Sequence, residues 1–157
     1  MEVKFVKTHP NAKLPFKKNQ NDAGYDVFYD CNLNAKNNDY GNNMYHHGNL
    51  RLDPGQNALI STGLKAFFTA GYVMEVKNKS SMASKGLFVG SCIIDSGYSG
   101  CIFIDIRNVG TEVQFLEQGQ KIAQLLVYKI ENLVVSEVSE DEYVKLAEHS
   151  TRQDGAL

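Results

Sequence analysis

Asp95 and Tyr98 stand three residues apart in IIDSGYSG (93–100), a short link between the apolar run GLFVGSC and the alternating run CIFIDIRN. A carboxylate held in a tight turn can orient a water and take its proton, and a tyrosine ring beside it can stack on a sugar. The plainer alternative is a hairpin in which Asp95 and Ser96 satisfy the turn and Tyr98 covers the edge of the core. A second stretch, NKSSMASKGL (78–87), gathers Lys79, Ser80, Ser81 and Lys85 after a strand. A serine-rich turn opening a short helix offers backbone N–H groups, hydroxyls and a positive end, which together suit a phosphate. An ordinary polar turn with a helix cap has the same composition.

Three more positions carry polar chemistry. Gln124 interrupts the apolar part of GQKIAQLLV (119–127), and a buried amide there needs a backbone or a ligand as partner. In DAGYDVF (22–28) an Ala-Gly pair lets backbones approach closely ahead of Asp26, which otherwise reads as a carboxylate capping a turn. In the tail STRQDGAL (150–157), expected to be a mobile arm, the guanidinium of Arg152 suits closure over a phosphate or a base; a frayed end is the alternative.

The elements that must hold these residues read as short strands punctuated by Gly, Asn and Pro, so the expected class is all-β. In CIFIDIRN, Ile102, Ile104 and Ile106 fall on one face and Phe103, Asp105 and Arg107 on the other, which is the period of a strand. Asp53–Gln56, DPGQ, carries Pro and Gly at the centre of a type II turn, with NALISTGLKAFF following as strand. GYVMEVKNK and KIAQLLVYKI are further strands, the second apolar enough for burial on both faces. Residues 34–49, rich in Asn and Gly, read as a long surface loop. Its adjacent His46 and His47 lack a Cys or carboxylate at ligand spacing, so a solvated loop is preferred to a metal site. One short helix is expected near the C-terminus, in SEDEYVKLAEH, where Ser139 and Glu142 have the spacing of a capping box.

With 157 residues, the chain is expected to form a single domain over 1–157. A net charge of -2 without a basic block gives no footprint for nucleic acid or an anionic membrane. No apolar run is long enough to span a bilayer, and the Lys-rich start lacks the apolar core of a signal peptide, so a soluble cytoplasmic protein is expected. Cys31, Cys92 and Cys101 form no close metal-ligand pair and are expected as free thiols; a Cys92–Cys101 bridge is the less favoured alternative.

Taken in order, AGYDV, KSSMASKG, IIDSGYSG, GQKIAQLL and a terminal Arg and Gly resemble the five motifs of the homotrimeric dUTPases. The resemblance runs from about Ala23 to the C-terminus, and its first, third and fourth motifs match best. It implies a jelly-roll-like β-barrel of the β-clip kind. It also implies a homotrimer with sites at subunit interfaces, and hydrolysis of dUTP to dUMP and pyrophosphate assisted by Mg2+ held through the substrate phosphates rather than by the protein. Such an activity keeps uracil out of DNA and supplies dUMP for dTMP synthesis.

Carried over, Asp95 matches the general base, and Tyr98 the tyrosine that packs on deoxyribose and excludes a 2′-hydroxyl. Ser80, flanked by Lys79 and Ser81, matches the second-motif serine on the phosphate chain. Gln124 matches the fourth-motif glutamine, Asp26 the first-motif aspartate, and Arg152 the arginine of the closing fifth motif. Uracil is read largely by main-chain groups of the hairpin leading into the third motif, here Gly86 to Ile94. Where the family usually has Arg and Gly-Asp-Arg, this chain has Lys79 and Gly119-Gln120-Lys121. The fifth motif departs furthest, with Gln153 and Ala156 at glycine positions and Leu157 at a base-stacking Phe.

Two other readings stay open on sequence. The homologous dCTP deaminases have an Ile-Asp-x-Gly-aromatic core followed by a strand with a catalytic Glu, and Asp105 stands at that position, which would allow deaminase or bifunctional activity. A dUTPase-fold protein that works by binding a protein partner is the third, raised by the length of the 34–49 loop.

Overall fold

Alternating apolar residues and frequent turn formers cut the chain into short strands. The computed structural model describes residues 1–8, 10–30, 45–46, 49–90 and 92–148. The tail 150–157 with Arg152, together with Cys31, His47 and nearly all of the 34–49 loop, lies outside the described residues. The early strands are β1 (Val3–Lys7), β2 (Tyr25–Phe28), β3 (Tyr45–His46), β4 (Asn49–Leu52), β5 (Asn57–Ser61), β6 (Leu64–Phe68) and β7 (Tyr72–Asn78). Helix α1 (Ser80–Ala83) follows, then β8 (Leu87–Val89), β9 (Cys92–Asp95), β10 (Phe103–Asn108), β11 (Gln114–Leu116), β12 (Lys121–Lys129) and helix α2 (Glu140–Ala147). Part of the expected loop is therefore strand, because Tyr45 and His46 pair with Leu50 and Asn49.

The strands form four antiparallel sheets, ordered β1-β6, β5-β10-β8, β11-β4-β3 and β2-β12-β7-β9, giving an all-β, jelly-roll-like architecture. Their inner faces share one apolar core. Ile102, Ile104 and Ile106 are buried in it, as the period of CIFIDIRN requires, and each such side chain contributes about 1.5–3 kcal/mol by leaving water. At the DPGQ turn, Gly55 takes φ 80 and the Gln56 amide donates to the Asp53 carbonyl at 3.0 Å.

Three sequence expectations need correction. NALISTGLKAFF is two strands in different sheets, broken at Gly63, whose φ of 67 lies in the left-handed region. IIDSGYSG is not a hairpin between paired strands, since β9 pairs with β7 while β10 pairs with β5 and β8. It is a crossing from one sheet to another, and β8 and β9, the strands of the proposed uracil segment, also belong to different sheets. Lastly, β12 is not buried on both faces throughout: Ile122, Ala123 and Leu125 are covered, but Tyr128 and Lys129 are exposed.

A Cβ on Gly63 would collide with Asp30 Oδ2 and lie 2.7 Å from the Ala12 methyl. Gly63→Ala combines that clash with a left-handed conformation costing about 1–2 kcal/mol. Together they should destabilise the fold by about 3 kcal/mol, read as a melting temperature roughly 6–12 °C lower; unchanged melting would mean that the bend relaxes freely.

After β12 the chain leaves the core. Leu133, Val134 and Val135 are 84%, 95% and 91% exposed, and α2 buries no residue. Its N-cap is the expected one, with the Glu142 amide donating to Ser139 Oγ at 3.3 Å. Among the described residues no helix is long and apolar enough to cross a membrane, and Cys101 carries a free thiol.

A candidate active site at two corners of one sheet

The first corner is organised by Asp26 on the edge strand β2. Its backbone pairs with that of Phe16 in both directions, at 3.0 and 2.8 Å, and the residue is only 7% exposed. A buried carboxylate needs partners, and each oxygen has one: Lys79 Nζ donates to Oδ1 at 2.8 Å, and Lys121 Nζ lies 2.8 Å from Oδ2. Burial pushes the Asp26 carboxyl up, but the hydrogen bonds and charges of Lys121 and Lys79 outweigh it and hold the group below its usual range.

Gln124 stands directly opposite Asp26, and its side chain lies over Gly24, where a Cβ would come within 2.8 Å of Gln124 Oε1. The Ala-Gly pair of the first motif is thus a close-approach site, as its composition suggests. Lys121 reaches the same place through an irregularity of β12. Its register against β2 shifts between Lys121 and Ala123, a bulge that turns the lysine to the side of Gln124. There its Nζ also lies 5.4 Å from the centre of the Phe16 ring. Simple alternation puts Lys121 with Ala123 and Leu125 on the core face, so sequence reasoning gives it no role. Its position beside Gly119 and Gln120, where the resembling family has a charged pair, is the one signal for it.

Lys79 is also the N-cap of α1, which begins with Ser80 and Ser81, both exposed. The turn is held from three sides. Asn78 Oδ1 accepts from the Val89 amide at 2.6 Å, Met82 is buried beneath the helix, and Gln120 Nε2 reaches Met82 Sδ at 3.5 Å. Asp26, Lys79, Ser80, Ser81, Lys121 and Gln124 therefore form one cluster of cations, hydroxyls and an amide.

Asp95 and Tyr98 lie at the other corner. Asp95 ends β9 with its side chain in solvent, and its carbonyl accepts from the Tyr98 amide at 3.0 Å. Tyr98 is half exposed, its ring lies against Gly100, and its hydroxyl donates to the Cys101 carbonyl at 3.0 Å. The Ile94 side chain is buried in the core, leaving its main chain as the part able to meet a ligand.

Paired residues share a face of a sheet. Asp26 is opposite Gln124, Gln124 opposite Lys77, and Val73 opposite Asp95, so both corners lie on the same outer face. Three strand spacings and four residues separate Asp26 from Asp95, which puts them about 20 Å apart. One chain does not bring the carboxylate of the third motif to the cations of the second and fourth.

Asp105 is engaged elsewhere. Asn57 Nδ2 donates to its Oδ1 at 3.1 Å and Arg107 Nε to its Oδ2 at 2.9 Å, the strand-carboxylate arrangement. Among the described residues no three His, Cys, Asp or Glu side chains are grouped to hold a metal ion.

The family model for dUTPase matches residues 30–155. A deoxyuridine 5'-triphosphate nucleotidohydrolase of Leptospira interrogans is 31% identical over 132 residues, covering 82% of this chain and 81% of the relative. One of Mycobacterium leprae is 32% identical over 154 residues, covering 96% of this chain and 88% of that protein. Among solved structures, a mutant dUTPase from phage phi11 of S. aureus, described with a coordinated structural Mg(II) ion, superposes with a TM-score of 0.73 at 22% identity, covering 90% of this chain and 99% of the other.

Proposed function

Because the chain belongs to the dUTPase family, we propose that it hydrolyses dUTP to dUMP and pyrophosphate, with the cluster around Asp26 as its phosphate site and Asp95 as its base. The observation that carries this reading is the junction at Asp26. One buried carboxylate ties the cation that opens the second motif to the cation of the fourth, beside two exposed serine hydroxyls and Gln124. Such a cluster neutralises and orients a phosphate chain, and phosphoryl transfer asks little more of a protein than positioning and charge.

In the reaction, a water attacks the α-phosphorus and Asp95 takes its proton. The bond from the α-phosphorus to the bridging oxygen breaks, and pyrophosphate leaves with the electron pair. Tyr98 covers the deoxyribose, and main-chain groups of 86–94 read uracil, consistent with the buried side chain of Ile94. Both Asp26 oxygens are taken by lysines, and the exposed donors beside them are hydroxyl and ammonium, a set suited to a phosphate chain that arrives with Mg2+ rather than to a resident ion. Mg2+ on that chain supplies further charge neutralisation. Arg152 completes the set as the closing residue. A cytoplasmic setting belongs to the same reading.

A base must lie within hydrogen-bond reach of its water, and about 20 Å separates Asp95 from Asp26 in one chain. The site is therefore completed between copies, one contributing the Asp95 corner and the next the Asp26 corner. A contact of that head-to-tail kind closes into a ring when its rotation returns to the start, and a ring of three is the family's number. The face between the corners has the surface for it: Leu126 is half-buried, and Ile93 and Tyr128 are exposed. The uncovered run of Leu133, Val134 and Val135 also asks for a neighbour.

Purified protein with Mg2+ and, separately, dUTP, dCTP and UTP should yield dUMP from dUTP alone when products are resolved by chromatography. Deoxyuridine products from dCTP would instead give Asp105 a catalytic role, which its bonds to Asn57 and Arg107 argue against. Light scattering should return the mass of three 17.5 kDa chains; a monomer would remove the shared site.

A further inference from the structure

In the reading above Lys121 counts only as one cation of the cluster around Asp26. It is nevertheless tied in on several sides: to Asp26 Oδ2 at 2.8 Å, to the Phe16 ring at 5.4 Å, and by a bulge in β12 that aims it there. Its neighbour Gln120 reaches into α1 at Met82. A bulge on the edge of a site is a common device for redirecting a neighbouring side chain, and here Lys121 stays paired with Phe28 while the register shifts just after it.

The charge arithmetic gives it a task. Asp26 divides its two oxygens between two ammonium groups, so the three together keep one positive charge in excess. Were Lys121 absent, Asp26 would pair with Lys79 alone and cancel it. Each lysine has three N–H donors and spends one on Asp26, leaving donors on Lys79 for the phosphate chain beside Ser80 and Ser81. Lys79 is 20% exposed at its side chain and Lys121 38%, so Lys79 is the more enclosed of the two, on the side of α1.

We infer that Lys121 is a positioning residue: by taking one oxygen of Asp26 it leaves the three groups with a net positive charge and Lys79 oriented and available to the phosphate chain. This rests on the phosphate site proposed above, not on the identity of the base or on turnover.

The test compares the 157-residue chain with its Lys121→Gln and Lys121→Arg variants, using two readouts. Titration calorimetry with inorganic triphosphate reads the phosphate site directly, and dUTP kinetics read the reaction. Lys121→Gln should weaken triphosphate binding about tenfold and flatten its salt dependence, since Asp26 then neutralises Lys79 and the site loses its net positive charge. KM for dUTP should rise by a similar factor with kcat within about threefold. Lys121→Arg, which keeps the charge, should restore both.

Undiminished triphosphate binding in Lys121→Gln overturns the inference, as does a loss that Lys121→Arg fails to restore and that tracks a lowered melting temperature, the mark of a purely structural residue. Failure of the wild-type protein to bind triphosphate overturns it too. If triphosphate binds and Lys121→Gln weakens it, yet dUTP is not turned over, the inference stands and the proposed substrate falls.

Discussion

Asp95→Asn should lower dUTP turnover by at least about 10²-fold while leaving nucleotide affinity within about threefold. General-base catalysis typically contributes 10²–10⁴, and an amide of the same shape accepts no proton. Structural collateral should be small. Asp95 ends its strand with its side chain in solvent, and its carbonyl, which closes the turn to Tyr98, is unaltered by the change. Steady-state release of pyrophosphate gives kcat, and calorimetry with a non-hydrolysable dUTP analogue gives affinity. Equal kcat in the variant would remove Asp95 from the chemistry. Loss of affinity with kcat preserved would make it a binding group instead.

How far sequence reached depended on whether the cause was local. The face of β10 was legible because alternation is a property of the strand itself: Ile102, Ile104 and Ile106 could only be buried together. The Gly55 turn and the Ser139 cap were legible for the same reason, each being complete within four residues. What failed was pairing at a distance. IIDSGYSG has the composition of a hairpin, yet β9 joins β7 and β10 joins β5, and nothing local says which edge a strand will meet. The break at Gly63 looked like a continuing strand because the collision that demands glycine comes from Asp30 and Ala12, far along the chain.

The candidate site shows the same division. Asp26, Lys79, Ser80 and Gln124 were found by motif, although the matched span of the family model starts at residue 30 and leaves Asp26 outside it. That Asp26 is the junction between them was not legible, because Lys79 is 53 residues away in sequence. Lys121 was hidden by its own parity. Only a bulge, one residue out of register, moves it from the core face to the site.

Asp26→Asn tests that junction most severely. The change keeps size and removes the charge that two ammonium groups share. Breaking a buried pair costs about 3–5 kcal/mol where the survivor cannot reach water. Here the Lys121 side chain is 38% exposed and can swing out, so about 2 kcal/mol is the expected loss. Lys79 then loses its fixed partner and the two cations repel, so kcat/KM for dUTP should fall about 10²-fold, or about 2.7 kcal/mol of transition-state stabilisation. A surplus of positive charge without position would do the reverse and tighten triphosphate binding, which would show that charge alone governs the site.

The pH profile separates this residue from any other carboxylate. Because the lysines hold the folded Asp26 below its ordinary value of 3.8, its stabilisation is fully present above that value and drains away as pH falls through the folded value. The stability gap between wild type and Asp26→Asn, measured by denaturant unfolding from pH 7 downward, should therefore stay constant to about pH 4 and close below it. A gap that persisted into strong acid would mean that the carboxylate acts through its shape, and the two lysines would no longer be explained by its charge.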